Sequence, residues 1–182
     1  CDVPRLPAGI YYVDALAGCG FTVFIRSDGK AIFRGRWPCD HECGNPFPDI
    51  CGRNTSSALL EREVDPPVGT KYIGGAAGTY HGVLLRSDGE AVGFGQNYGG
   101  HPVGCSDIPA LPNGLRYVGA VAEYSETILF RSDGDFLVVG SPNGRVGDIP
   151  ALPAASRYVG AAVGGRHIAM LRDDGCAVCV GR

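Results

Sequence analysis

The 182-residue sequence is poor in methionine (one), tryptophan (one) and lysine, with Lys30 and Lys71 the only lysines among sixteen cations. Each scarcity excludes something. No apolar run reaches the roughly 18 residues that a transmembrane helix needs. There is no basic block and the formal charge is −3, so a nucleic-acid footprint is excluded. No glycine-rich turn joins a strand to a helix, and no Ser or Cys stands beside a His in a nucleophile motif. The chain is therefore read as a protein without catalytic residues or cofactor. It starts at Cys1 with no leader in view, and reads as a processed product or a piece of something longer, with the piece favoured.

Glycine (29), proline (13) and apolar residues (45%) are plentiful. That mixture supports a packed core and fits short strands joined by tight turns. It is also periodic. Tyr12-Val13, Tyr72-Ile73, Tyr117-Val118 and Tyr158-Val159 are each preceded, five residues before the Tyr, by Pro7, Pro67, Pro112 and Pro153. Sixteen residues after each Tyr comes Asp28-Gly29, Asp88-Gly89, Asp133-Gly134 or Asp174-Gly175. Arg26, Arg86, Arg131 and Arg172 stand two residues before those Asp, and Gly35, Gly95, Gly140 and Gly181 seven after. Features held in register four times define a repeat.

An Asp-Gly pair between apolar runs predicts a hairpin with a two-residue turn. Runs such as Val83-Leu84-Leu85 and Ile128-Leu129-Phe130 are apolar on both faces, as in a strand sandwiched between sheets. With an earlier strand, such as Tyr72 to Ala77, each unit supplies three antiparallel strands. Linkers such as Ile108 to Pro112 are candidates for a fourth. The fold is all-β: a β-propeller-like array of four antiparallel blades, an open arc or partial propeller, over about 5–36, 68–100, 112–141 and 153–182. One Cys-rich loop, residues 37–67, is inserted after the first. No terminal strand is left over to latch a ring.

The second copy reads Gly78-Thr79-Tyr80-His81, an apolar strand, Asp88-Gly89, Phe94-Gly95 and Asn97-Tyr98-Gly99. It resembles the repeat of the regulator-of-chromosome-condensation family, as does Gly164-Gly165-Arg166-His167 with its turn. Similar Tyr-Val…Arg-Ser-Asp-Gly arrays occur in unicellular algae. The resemblance implies a propeller of the kind used in nucleotide exchange on small GTPases, in recruitment by very large ubiquitin ligases, and in inhibition of secreted enzymes. Phe21 and Glu126 replace the motif His in the first and third copies.

The corner after the first strand carries the partner-binding candidates Tyr80, His81, Tyr124, Arg166 and His167. The competing reading of His81 and His167 is structural, with ring nitrogens meeting backbone groups. The repeated Arg predict a ladder of Arg–Asp contacts between adjacent blades. In the insertion, Cys39, Cys43 and Cys51 are disulfide candidates, with Cys51 bonding Cys39 or Cys43. Free thiols, or zinc on Cys39, His41, Cys43 and Cys51, are the alternatives, though the spacing fits no standard finger. Asn54 heads a glycosylation triplet, which with the Cys favours an oxidising compartment over the cytosol. Cys176 and Cys179 are expected not to bond each other. Function is read as protein–protein interaction, in a scaffold or accessory subunit of a larger assembly, with a membrane complex among its settings. The narrower readings are exchange factor, ligase recruiter and enzyme inhibitor.

Overall fold

Every Asp-Gly segment reverses the chain, and the hydrogen bonds show how. In the first copy the Gly29 N–H donates to the Arg26 carbonyl at 2.9 Å and the Arg26 N–H to the Lys30 carbonyl at 2.9 Å. The loop therefore holds three residues, not two: a turn closed by a left-handed residue with a bulge behind it. Gly29, Gly89, Gly134 and Gly175 take φ of 91°, 92°, 89° and 82°, which costs a glycine nothing. The Asp side chain completes the loop; that of Asp174 accepts the Cys176 N–H at 3.0 Å.

A computed structural model describes residues 3–35, 60–95, 106–123, 126–140, 149–150, 152–153, 156–164 and 167–181. They form four antiparallel meanders and, among them, no helix. Blade 1 contains β1 (Tyr12–Ala17), β2 (Phe21–Arg26), β3 (Ala31–Gly35) and β4 (Leu60–Val64). Blade 2 contains β5 (Tyr72–Ala77), β6 (His81–Arg86) and β7 (Ala91–Gly95). Blade 3 contains β8 (Tyr117–Glu123), β9 (Glu126–Arg131) and β10 (Phe136–Gly140). Blade 4 contains β11 (Tyr158–Gly164), β12 (His167–Arg172) and β13 (Ala177–Gly181).

First strands β1, β5, β8 and β11 touch in succession, so they form the inner side of the array. Three apolar clusters fill the three joints between blades. Val23, Ile25 and Phe33 meet Tyr72, Leu84 and Phe94; Val83 and Leu85 meet Tyr117, Leu129 and Val139; Ile128 and Phe130 meet Tyr158, Ile168 and Met170. The double-sided burial expected of the second strands holds in β6 and β9. No described strand of one blade pairs into another blade's sheet, and the array is an open arc.

Two expectations are corrected. The end of the supposed loop, residues 60–64, is strand β4, paired along β3 from Ala31↔Val64 to Gly35↔Leu60. Val64 enters the first core cluster. The described residues of the linkers before blades 3 and 4 add no strand. Ile108, Leu111, Ile149 and Leu152 instead plug the joints as irregular chain. Pro109 and Pro112 lack the N–H that a ladder would use.

Candidate functional site

Where each first strand begins, register slips by one residue: Tyr12/Asp14, Tyr72/Gly74, Tyr117/Gly119 and Tyr158/Gly160. The extra residue of such a bulge is re-aimed out of the ladder. Here it is Val13, Ile73, Val118 or Val159, between 50% and 60% exposed in all four blades. Beside them stand Tyr11, Lys71, Arg116 and Arg157, also exposed. The result is a rim that offers one aliphatic side chain per blade, with a cation beside it in three of the four.

Backbone bonds hold this rim rigidly. The Lys71 N–H donates to Ser87 Oγ at 3.0 Å and its carbonyl accepts the Ser87 N–H at 2.8 Å. Equivalent bonds tie Tyr11 to Ser27, Arg116 to Ser132 and Arg157 to Asp173. The next N–H crosses to the preceding blade: Tyr72 to the Gly29 carbonyl at 2.9 Å, Tyr117 to Gly89 at 2.8 Å. The Tyr rings plug the joints, and the hydroxyls of Tyr12, Tyr117 and Tyr158 donate to Pro4, Pro109 and Pro150 carbonyls. Burial raises the hydroxyl pKa of Tyr72 and Tyr117.

Between blades 3 and 4 the rim frames an open groove of about 290 Å³, lined by Val118, Phe130, Arg131, Ser132, Arg157 and Val159. Small-molecule pockets are generally larger and closed over their ligands. This groove suits a side chain of another protein.

The corner candidates separate. His81 is completely buried, its Nε2 2.7 Å from Thr127 Oγ1 of blade 3. That burial removes it from any binding surface, and its Nε2 meets a hydroxyl of the next blade. His167, at the same repeat position, is exposed, with no described blade packed over it. Tyr80 is half-buried at a corner where Thr79 reaches Glu123 of blade 3 at 3.3 Å. Tyr124 and Arg166 lie outside the described residues, as do Cys39, His41, Cys43, Cys51 and Asn54. Cys19, Cys176 and Cys179 are exposed free thiols. Among the described residues no group of three His, Cys, Asp or Glu is arranged to hold a metal.

The Arg–Asp ladder between blades is also corrected. Arg26, Arg86, Arg131 and Arg172 pair with Asp28, Asp88, Asp133 and Asp174 of their own turns. Two residues apart across a tight loop, these groups meet before either could reach a neighbouring blade. In blade 1 Arg26 also pairs with Glu63 of β4, and Lys30 contacts Glu63 and Asp65 at 2.8 Å each.

Meandering sheets stacked first strand to first strand make this chain part of a β-propeller. Its blades are similar in fold to those of RCC1 propellers. No family model matches the chain, and no curated protein matches it. Solved structures do. Prp20p of Saccharomyces cerevisiae superposes with a TM-score of 0.71 at 17% identity, over 96% of this chain and 44% of that one. Human WBSCR16 gives 0.66 at 15% identity, over 99% and 50%. The CRINKLY WD40 ectodomain of the Arabidopsis thaliana receptor kinase ACR4 gives 0.59 at 16%, over 97% and 55%. At these identities the likeness is one of fold. The chain spans less than half the length of the Prp20 chains it matches, 44% and 42%.

Proposed function

We propose that this chain is a non-catalytic protein–protein interaction module, serving as a scaffold or accessory subunit of a larger assembly. The observation that carries this reading is the bulged rim. Val13, Ile73, Val118 and Val159 are at least half exposed, yet every copy places an aliphatic residue there on a hydrogen-bonded frame. Aliphatic contacts flanked by Arg and Lys suit a protein surface with apolar and acidic side chains. The neighbouring folds support a protein partner: Prp20p is described with binding properties to Gsp1p and histones, and yeast RCC1 is described bound to Kap60.

The test is affinity capture with the whole chain, comparing wild type with a Val118→Glu/Val159→Glu variant. Both side chains already face solvent, so the melting temperature should not move. Capture of a stoichiometric partner should fall at least about tenfold, a loss of some 1.4 kcal/mol. A partner held equally by both proteins would sink the rim as its site. Nucleotide exchange is the narrower alternative. Release of a fluorescent guanine nucleotide from a small GTPase should be unchanged by the chain, and acceleration would replace the scaffold reading.

A further inference from the structure

Two sets of repeated cations run along the arc. Arg26, Arg86, Arg131 and Arg172 each pair with the Asp of their own turn, and Arg131 also reaches Asp135 at 3.5 Å. Among the described residues, no carboxylate pairs with Lys71, Arg116 or Arg157. Pairing was open to them, since Asp and Glu outnumber Lys and Arg by 19 to 16. All three stand two residues before the rim aliphatics Ile73, Val118 and Val159, and the Tyr between is buried in the joint.

Each unpaired cation is held in place. A methyl on Gly29 would lie 2.5 Å from Lys71 Cγ, and one on Gly134 2.5 Å from Arg157 Cγ, with Gly89 under Arg116 in the same way. The stems rest on the hairpin of the preceding blade, and bonds to Ser87, Ser132 and Asp173 fix the backbone beneath them. A pinned stem has less rotamer freedom left to lose on binding. Lys71, Ile73, Arg116 and Val118 are exposed although blades 2 and 3 each touch a blade on either side.

A charge covered without a counter-ion is costly, so whatever covers this rim must bring anions. The Arg fork takes a carboxylate in a bidentate, charge-assisted pair, and the aliphatic beside each cation takes an apolar side chain. The groove between blades 3 and 4 makes both demands in one place. Val118, Phe130 and Val159 give it apolar walls and Arg157 an unpaired charge, while Arg131 is already neutralised by Asp133. We infer that the rim of blades 2 to 4 binds an acidic segment of another protein, with one apolar side chain seated between Val118 and Val159 and carboxylates on Arg116 and Arg157. This rests on the reading of the rim as an interaction surface and adds the chemistry of the partner.

Fluorescence anisotropy of the whole chain tests this with a labelled peptide of about twelve alternating Asp and Leu residues, roughly 40 Å long when extended. The same peptide with Asn for Asp should bind at least about tenfold more weakly, and added salt should weaken the acidic peptide steadily. Arg116→Gln and Arg157→Gln keep the Cβ, Cγ and Cδ that cover Gly89 and Gly134, so the melting temperature should hold. Each should lose about fivefold or more in affinity. Lys30→Gln makes the same charge change at a cation paired with Glu63 and Asp65, and should lose nothing. Equal affinity for the Asp and Asn peptides, or Arg variants no weaker than Lys30→Gln, would overturn the inference. So would an acidic peptide that stays unbound at millimolar concentration. A single-stranded oligonucleotide bound as tightly as the peptide would make the rim a general polyanion site and also overturn it. Partner capture separates this inference from the broader reading. A partner lost by Val118→Glu/Val159→Glu yet kept by Arg116→Gln/Arg157→Gln would remove the acidic assignment and leave the interaction module in place.

Discussion

At the scale of single residues, the hairpin glycines do two jobs that substitution can separate. Gly29 and Gly175 share a left-handed backbone, but only Gly29 lies under a neighbouring stem. A β-carbon at such a backbone costs about 1–2 kcal/mol. Gly175→Ala should lose that much, and Gly29→Ala distinctly more, because the Lys71 stem and backbone must also yield. Denaturant midpoints at unchanged slope give both values, and equal losses would mean that the stem moves aside freely. The turn carboxylates set an acid limit. The hydrogen bond from Arg131 holds the Asp133 carboxyl below the usual carboxylate range, outweighing the opposing effect of burial. The Asp174 carboxyl is lowered first by the Cys176 N–H. A depressed folded pKa adds stability above the unfolded value of about 3.9, and this is lost as pH falls through the folded value. The melting temperature should therefore hold steady from pH 7 to about 5 and decline below about 4. The decline should be modest, because these pairs are solvent-screened. A melting temperature that rises on acidification would contradict the ion-pair account.

At the scale of elements, β4 is the clearest test of what holds a blade together. Its Glu63 faces Arg26, a guanidinium only 7% exposed, whereas Glu61 pairs with Arg34 at the surface. Glu63→Ala leaves a buried cation with Asp28 alone and should cost about 1–3 kcal/mol. Glu61→Ala should cost under about 1. Urea titration of the two variants checks the order, and a larger loss from Glu61→Ala would place the strand's anchor elsewhere. Deleting residues 38–66 removes the paired strand β4, so it is expected to destabilise blade 1. Why β4 escaped the sequence follows from the same residues. Leu-Glu-Arg-Glu-Val has little apolar content of its own and becomes a strand because the edge of β3 and two cations meet it. The other strands were legible, since an Asp-Gly turn and a Gly corner act within a dozen residues of chain. The rim was half legible: an aliphatic residue follows every Tyr, but alternation would have buried it, and only the bulge turns it outward. His81 and His167 show the limit of such reading. They share one motif position and opposite environments, because His81 is covered by Thr127 of the neighbouring blade and no described residue covers His167 in the same way.

At the scale of the whole molecule, the arc behaves as a one-dimensional array in which each blade is stabilised by the neighbours it touches. Blades 2 and 3 are covered on both sides, and β6 and β9 are buried at five consecutive positions each. Among the described residues, blade 4 touches one other blade, and its outermost strand, β13, alternates between exposed and half-buried along its length. Blade 1 also has one neighbour, but it has a fourth strand and the Arg26–Glu63–Lys30 ion-pair group. Opening should therefore be graded, not all-or-none. Amide exchange should be fastest in β13, intermediate in β2 and slowest in β6 and β9. Uniform exchange across all blades would show that the array unfolds as one unit. Fast exchange in β6 or β9 would mean that the joints contribute less than the sheets they connect.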